Sequence, residues 1–564
     1  MKFSEFTYQR PNMDELKTNF DLLLNRFKEA SSFAEQDEAM ADINKLINTF
    51  STQTQIVSVR HSINTEDAFY KAEQEFMDEI GPVFQEYIDS YYKALVHSAF
   101  RSELEQKWGN QLFNSAELTL KTFHPDIIAD LQQENKLTTA YGQLIASAKI
   151  PFEGEERTLT QLGPFEQSKD RSMRQRAGEA RYGFFAENSE ELDRIYDELV
   201  KVRTTIARKL GYNTFTELAY ARMNRTDYGP EQVAAFRKQV QEYIVPAAAR
   251  LKERQRQRLG LDRLAYFDQS FSFESGNPTP KGDADFIINN GAKMYSELSP
   301  EIDAFYRMMQ ENELMDLLSK KGKMGGGYCT FLNDYQSPFI FANFNGTSGD
   351  IDVLTHEMGH AFQVYESRHF EVPEYIWPTY EAAEIHSMSM EFFTWPWMEL
   401  FFKEDTDKYK FDHLSGALNF IPYGVAVDEF QHVIYDNPEF TPAERKAAWK
   451  AIEEKYLPFW DQSDNPFLAA GGYWQKQGHI YEAPFYYIDY TLAQICAFQF
   501  WKKMHQDQKA AWADYVNLCK QGGSKSFTGL VEVAGLISPF QEGCVASVID
   551  DIEAWLNGID DSKL

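Results

Sequence analysis

The sequence predicts a mainly α protein, and three observations carry the prediction. Residues 12–148 place their apolar side chains at helical spacing almost without interruption. Helix-like stretches resume at about residue 168 and continue to about residue 315. Strand-type patterns are confined to two short places, residues 150–163 and residues 320–349.

Taken in order, the first helix opens with Asn12-Met13-Asp14-Glu15, a capping residue followed by acids. Leu16, Phe20, Leu23, Leu24 and Phe27 then form one apolar face. No period of roughly 20 to 50 residues repeats, so a solenoid is not expected. Pro151 and Gly154 interrupt the helical pattern where alternation predicts a short hairpin. Arg171, Arg174, Arg176 and Arg181 stand among acidic residues and are expected on a solvated helix face rather than at an anion site. The basic run KERQRQRLGLDR, residues 252–263, is expected on a surface helix, since no nucleic-acid-binding signature accompanies it. The expected division is an N-terminal helical domain at residues 1–189 and a second domain carrying the chemistry at residues 190–564.

Formal net charge is −30 over 564 residues, which argues against nucleic acid and anionic membranes as partners. It suits a soluble chain and equally one that takes cationic peptides. Cys329, Cys496, Cys519 and Cys544 are scattered without a C-x-x-C pair, which fits a reducing compartment. The first residues lack an apolar signal region, and no run of about 18 apolar residues occurs. A cytoplasmic protein is expected.

Residues 352–366, DVLTHEMGHAFQVYE, hold the main motif. His356 and His360 are four apart, so on a helix both imidazoles lie on one face and can bind one metal ion. Neutral imidazole is a good zinc ligand, and Glu357 between the two is placed to take a proton from water at the metal. This is the zincin arrangement, and it points to peptide hydrolysis. No proline falls in residues 351–367, Asp350 and Asp352 suit the helix start, and Leu354, Met358, Ala361, Phe362 and Tyr365 form an apolar face. The alternative is two ordinary histidines on a core helix.

A catalytic zinc takes a third protein ligand. Gln363 and Glu366 stand where the metzincin extension needs Gly and His, so that class is excluded. Residues 379–393, TYEAAEIHSMSMEFF, follow the breaker Pro378 and align Glu381, Glu384, Met388 and Glu391 on one helix face. Glu384 is the expected ligand, because Ala382, Ala383 and Ser387 around it let two helices approach. Glu381 is expected to orient a ligand imidazole and Glu391 to make a structural hydrogen bond. His386 and His369 are further candidates, each also readable as a satisfied or surface histidine.

Before the motif, Gly325, Gly326 and Gly327 permit a turn, and YCTFLND and SPFIFANFN read as strands. The second strand is expected either to offer an edge to an extended peptide or to cover the core. After the motif, His479, Tyr486, Tyr487 and Tyr490 crowd one loop-to-helix junction. Phenol and imidazole donors there can stabilise an oxygen that gains negative charge. In a chain that is 15% aromatic, plain packing is the other reading.

HEMGHAFQ, the helix carrying Glu384, the preceding GGGYCTF and PFIFANFNGT, and HIYEAPFYYIDY together resemble the thimet oligopeptidase and oligoendopeptidase F family. The resemblance is closest to its bacterial oligoendopeptidase F or Pz-peptidase branch. It runs from about residue 190 to the end, and the N-terminal helices fit by general character. It implies a mainly α, zincin-type metallopeptidase with a small β-sheet beside the site and a deep substrate channel between two halves. It further implies one Zn2+ per chain on His356, His360 and Glu384, with Glu357 as general base. His479 and two of Tyr486, Tyr487 and Tyr490 match the residues that bind substrate and the oxyanion. The three-residue tyrosine spacing of the animal members favours Tyr487 and Tyr490. IYEAPF stands where those members carry a Gly-rich loop, which agrees with the bacterial branch. The implied activity is cleavage of internal bonds in short peptides. The alternatives are a zinc exopeptidase, either carboxypeptidase or dipeptidase, and a peptide-binding protein without turnover.

Overall fold

Helices make up most of the chain in the computed structural model, which describes residues 1–320, 323–324 and 326–564; for residues 78, 82, 139, 143, 146 and 160 it describes the backbone alone. Asn12 caps the Met13–Glu29 helix by accepting from the amides of Asp14 and Glu15, as its position predicts. Long helices Phe33–Ile63 and Ala68–Val96 follow. Among the described residues five short strands make two sheets: a hairpin of β1 (Ile150–Phe152) and β2 (Glu155–Arg157), and a three-stranded sheet of β3 (Met315–Leu318), β4 (Tyr328–Leu332) and β5 (Ser337–Phe344).

The chain groups into two compact units, each made of three segments. The first holds Met1–Leu120, Thr279–Glu404 and Cys496–Ile537; the second holds Lys121–Pro278, Asp405–Ile495 and Ser538–Leu564. These limits differ from the sequential division at residues 189/190, and the reason is a shared core. In the first unit Phe20, Phe27, Met40, Tyr91 and Leu112 are buried together with Val372 and Tyr375. Phe3 packs on Phe339 with ring centroids 4.4 Å apart, and Phe6 stacks on Tyr335 at 3.8 Å. Apolar faces of the N-terminal helices are thus covered by residues more than two hundred positions away, which a division by sequence order separates.

The strand order is β3-β5-β4, with β5 parallel to β3 and antiparallel to β4. This corrects one expectation. Flanked on both sides, β5 cannot present a free edge, and its residues 338–342 are buried. The edges belong to β3 and β4. β3 falls between the helical reading, which ends at about residue 315, and the strand-type region that opens at residue 320, because four residues are too few to display alternation. Of the three glycines before β4, Gly325 lies outside the described residues, and Gly326 adopts φ 87°, which glycine tolerates.

In the second unit the Arg171–Glu187 helix does not simply present a solvated basic face. Arg174 is buried, and it joins Arg171 on the fully buried carboxylate of Asp268, at 2.9 and 2.7 Å. A buried carboxylate needs such counter-charges. Arg254 and Arg258, from the basic run, both pair with Asp561, so part of that run is neutralised within the chain. Among the described residues no helix is long and apolar enough to cross a membrane. None of the four cysteines is in a disulfide.

Candidate active site

The motif helix, Gly349–Ser367, begins where the Asp350 carboxylate accepts from the amides of Asn345 and Gly346 at 2.8 and 2.7 Å. Its apolar face, Leu354, Met358, Ala361 and Phe362, is fully buried. That burial fixes the helix rotation and turns His356 and His360 to one side, their rings 5.1 Å apart. Gly359 lies between them. A Cβ on Gly359 would sit 2.5 Å from the carbonyl oxygen of His386 and 2.7 Å from Cα of Ser387, both on the helix Tyr380–Phe393. Only glycine permits the two backbones to touch at this point.

The close approach brings Glu384 to the imidazoles. Its Oε2 lies 3.2 Å from Nε2 of His356 and 3.5 Å from Nε2 of His360, and the Ser387 hydroxyl donates to the same oxygen at 2.8 Å. Ligand atoms of all three residues fall within 4.8 Å of one another. Two atoms each 2.0–2.1 Å from a tetrahedral zinc stand roughly 3.3 Å apart, and the Glu384 oxygen lies at about that separation from each nitrogen, so the donor set fits such an ion.

Behind the imidazoles the arrangement differs from expectation. Glu391, expected to make a structural hydrogen bond, meets the imidazole of a candidate ligand: its Oε1 lies 2.8 Å from Nδ1 of His356. Glu381 and Glu391 share a helix face, and the direction in which that helix crosses the motif helix decides which one reaches the ring. Glu381 is fully buried on the same helix. Burial disfavours a charged His356, but Glu384 and Glu391 outweigh it and hold its pKa well above the ordinary imidazole value. Burial likewise opposes ionisation of Glu384, and His360 and His356 outweigh it, keeping that carboxyl well below its usual range. His386 is buried beside Tyr515, and burial pushes its pKa down to about 3. His369 is exposed, with Nδ1 3.0 Å from the carbonyl of Glu366. Neither histidine joins the ligand group.

Glu357, next to His356, is buried, and its Oε2 has no hydrogen-bond partner among the described residues. Burial raises its pKa. A buried carboxylate oxygen without a partner is costly, and beside the two imidazoles this one is available to a group from outside the chain. A Cβ on Gly327 would lie 3.6 Å from Oε1 of Glu357 and 3.3 Å from the carbonyl of Phe341, so the approach to β4 stays narrow beside this carboxylate.

The second unit holds the other candidate residues, and it does bring them together. His479, on the short helix Gly478–Glu482, has its ring centroid 5.7, 4.9 and 5.9 Å from those of Tyr486, Tyr487 and Tyr490. Tyr487 and Tyr490 open the helix Tyr487–Gln506. The turn into it passes through Phe485 at φ 67°, a left-handed position that costs a non-glycine residue about 1–3 kcal/mol. Three groups hold it there: the Phe485 amide donates to Gln431 at 2.9 Å, its carbonyl accepts from Arg225 at 2.6 Å, and Arg225 also pairs with buried Asp489 at 2.7 Å. Burial lowers the pKa of His479 and raises that of Tyr487, so both are neutral at pH 7. Nδ1 of His479 lies 2.8 Å from the Gln477 amide nitrogen. In the same unit a Cβ on Gly424 would collide with Thr491 at 2.2 Å, a second glycine on which two helices close.

Sequence reasoning missed Gly359, Glu391 and Gln477 in these roles. The spacing of Ser387, three after Glu384, was a usable signal; Gln477 offered none.

Two imidazoles and a carboxylate converging on one point, with a glutamate beside them on a mainly α fold, define a helical metallopeptidase. Residues 165–280 and 288–548 match peptidase family M3, and residues 3–123 match the peptidase M3 N-terminal domain. The structure of a Pz peptidase A with an inhibitor is 64% identical, with TM-score 0.95 and full coverage of both chains. A structure described as an oligoendopeptidase F of Bacillus anthracis str. Ames is 60% identical, with TM-score 0.91, covering 100% of this chain and 99% of that one. An oligoendopeptidase F homolog of Lactococcus lactis subsp. lactis (strain IL1403) is 24% identical over 358 residues, 58% of this chain and 55% of the relative; the match spans about half of that relative's length. The chain belongs to peptidase family M3.

Proposed function

We propose that the protein is a zinc-dependent endopeptidase acting on short peptides. The observation that carries this reading is the convergence of His356, His360 and Glu384 beside the unpartnered carboxylate of Glu357. His356, His360 and Glu384 would hold the ion, with Glu391 and Ser387 fixing the orientation of the first and last. Zinc held there polarises the scissile carbonyl and acidifies water. Glu357 takes the proton from the attacking water and passes it to the leaving amine. A carboxyl made less acidic by burial both accepts and returns a proton more readily near neutral pH. His479 and two of Tyr486, Tyr487 and Tyr490 donate hydrogen bonds to the carbonyl oxygen as its charge grows. With β5 enclosed, the strand that pairs with an extended peptide is β4, whose first residue, Tyr328, follows Gly327 beside Glu357. Four cysteines outside any disulfide, three of them buried, support a reducing, cytoplasmic setting.

The test is Glu357→Gln with a zinc assay and product mapping on peptides blocked at both ends. Zinc content should stay near stoichiometric while turnover falls at least ~10²-fold, and the wild type should cut internal bonds. Normal turnover in the variant would remove Glu357 from the mechanism. Blocked peptides left intact while the same peptides with free ends lose terminal residues would make the enzyme an exopeptidase.

A further inference from the structure

We infer that Tyr423 and Gln477 hold His479 in a single tautomer, with its proton on Nε2, so that the ring meets substrate as a neutral hydrogen-bond donor. The catalytic consequence rests on the substrate-facing role proposed for His479; the tautomer itself does not.

Tyr423 lies on the helix Thr406–Asp436, 8% exposed, its ring among Trp460, Tyr473 and Tyr487 with centroids 5.9, 5.7 and 5.8 Å away. Among the described residues its hydroxyl makes one hydrogen bond, to Oε1 of Gln477 at 2.8 Å. The other end of that carboxamide lies 2.8 Å from Nδ1 of His479. A carboxamide has one accepting end and one donating end, so two arrangements are self-consistent. In the first, Tyr423 donates to Oε1, and the amide nitrogen donates to Nδ1. In the second the carboxamide is turned over, the amide donates to the phenol oxygen, and Nδ1–H donates to Oε1.

The surroundings of Tyr423 decide between them. In the second arrangement the phenol proton has no acceptor inside an aromatic box, and a buried unmet donor is what folded proteins avoid. Tyr487, Tyr182, Tyr141 and Glu453 also face Tyr423, but among the described residues none lies within hydrogen-bond distance of its hydroxyl, and the Lys476 ammonium, 5.8 Å from the ring, only donates. The first arrangement satisfies every group. It makes Nδ1 an acceptor, so the neutral imidazole must carry its proton on Nε2, which has no partner among the described residues. Protonating Nδ1 as well would set two N–H groups against each other, so the same relay keeps the ring uncharged. Burial acts in the same direction. Gln477 and Tyr423 are thus positioning residues.

Selective 15N-histidine labelling of the zinc-loaded full-length enzyme reads the tautomer, with the His479 signals assigned by their loss in His479→Gln. The wild type should show a protonated Nε2 and a bare Nδ1 through neutral pH. Tyr423→Phe keeps the ring and removes only the hydroxyl; the carboxamide is then free to turn, both tautomers should appear, and kcat should fall while KM holds. Gln477→Glu should give the doubly protonated ring at neutral pH. A wild-type spectrum with Nδ1 protonated, or a tautomer indifferent to both variants, would overturn the inference. Unchanged kcat in His479→Gln would instead sink the substrate-facing role, a separate failure that the spectra do not share.

Discussion

His356 and His479 each meet one side chain at Nδ1 over the same 2.8 Å, yet the two imidazoles are driven in opposite directions. Behind His356 stands the carboxylate of Glu391, and with Glu384 it raises the pKa against burial. Behind His479 stands the amide of Gln477, which carries no charge, and burial lowers the pKa unopposed. One ring is made more basic, which suits the metal-ligand role proposed for it; the other stays neutral, which suits the proposed donor to a developing oxyanion. Hydrogen-bond length does not separate the two roles. The charge of the partner does.

The largest expected break of this comparison is Glu384→Ala. It removes the charge on which both ligand imidazoles converge, and the protein should lose its zinc on dialysis and fall to background turnover. If Glu381→Ala empties instead, the ligand lies one turn earlier. Next come Tyr486→Phe, Tyr487→Phe and Tyr490→Phe. Removing one oxyanion donor costs about 10²–10³ in kcat, so the two true donors should separate from the third by that margin in steady-state kinetics. Glu391→Gln sharpens the comparison most directly, because it gives His356 the kind of partner His479 has. Zinc affinity, read by competition with a chelator, should fall about 10–100-fold.

The smallest effect concerns a third histidine. His386 is buried with no carboxylate at ion-pair distance among the described residues, and its pKa of about 3 lies below the unperturbed 6.5. Between those values the unfolded chain binds the extra proton and the folded chain does not, so stability rises with pH there. The contribution is present above pH 6.5 and is lost as pH falls toward about 3. Calorimetry should find a flatter decline of the melting temperature across that window in His386→Leu than in the wild type.

What was legible in the sequence followed from spacing within one element. The four-residue step from His356 to His360, and the three- and four-residue steps through Glu381, Glu384, Met388 and Glu391, define helix faces without any tertiary knowledge. The Asn12 cap and the β1–β2 hairpin were legible for the same reason. What was not legible depends on how two elements cross. Glu381 and Glu391 are equivalent by spacing, and only the path of their helix past His356 separates them. β5 reads as a strand, but β3, which covers its far side, is four residues long and carries no pattern. Arg174 looks like any surface arginine until Asp268, ninety-four residues later, is found buried beside it. Gln477 acquires meaning only from Tyr423, on another helix.

Gly359 bears on how this protein can be made more heat-resistant. Replacing helical glycines with alanine commonly gains about 0.4–1 kcal/mol by restricting the unfolded chain. Gly183 and Gly416 sit in helices with nothing within 4 Å of a Cβ, and they suit that treatment. At Gly359 the same methyl group would meet the backbone of the neighbouring helix at 2.5 Å, costing about 1–3 kcal/mol of overpacking and pushing Glu384 away from both imidazoles. A glycine that looks like a soft spot in a stability survey is here the spacer that sets the width of the metal site.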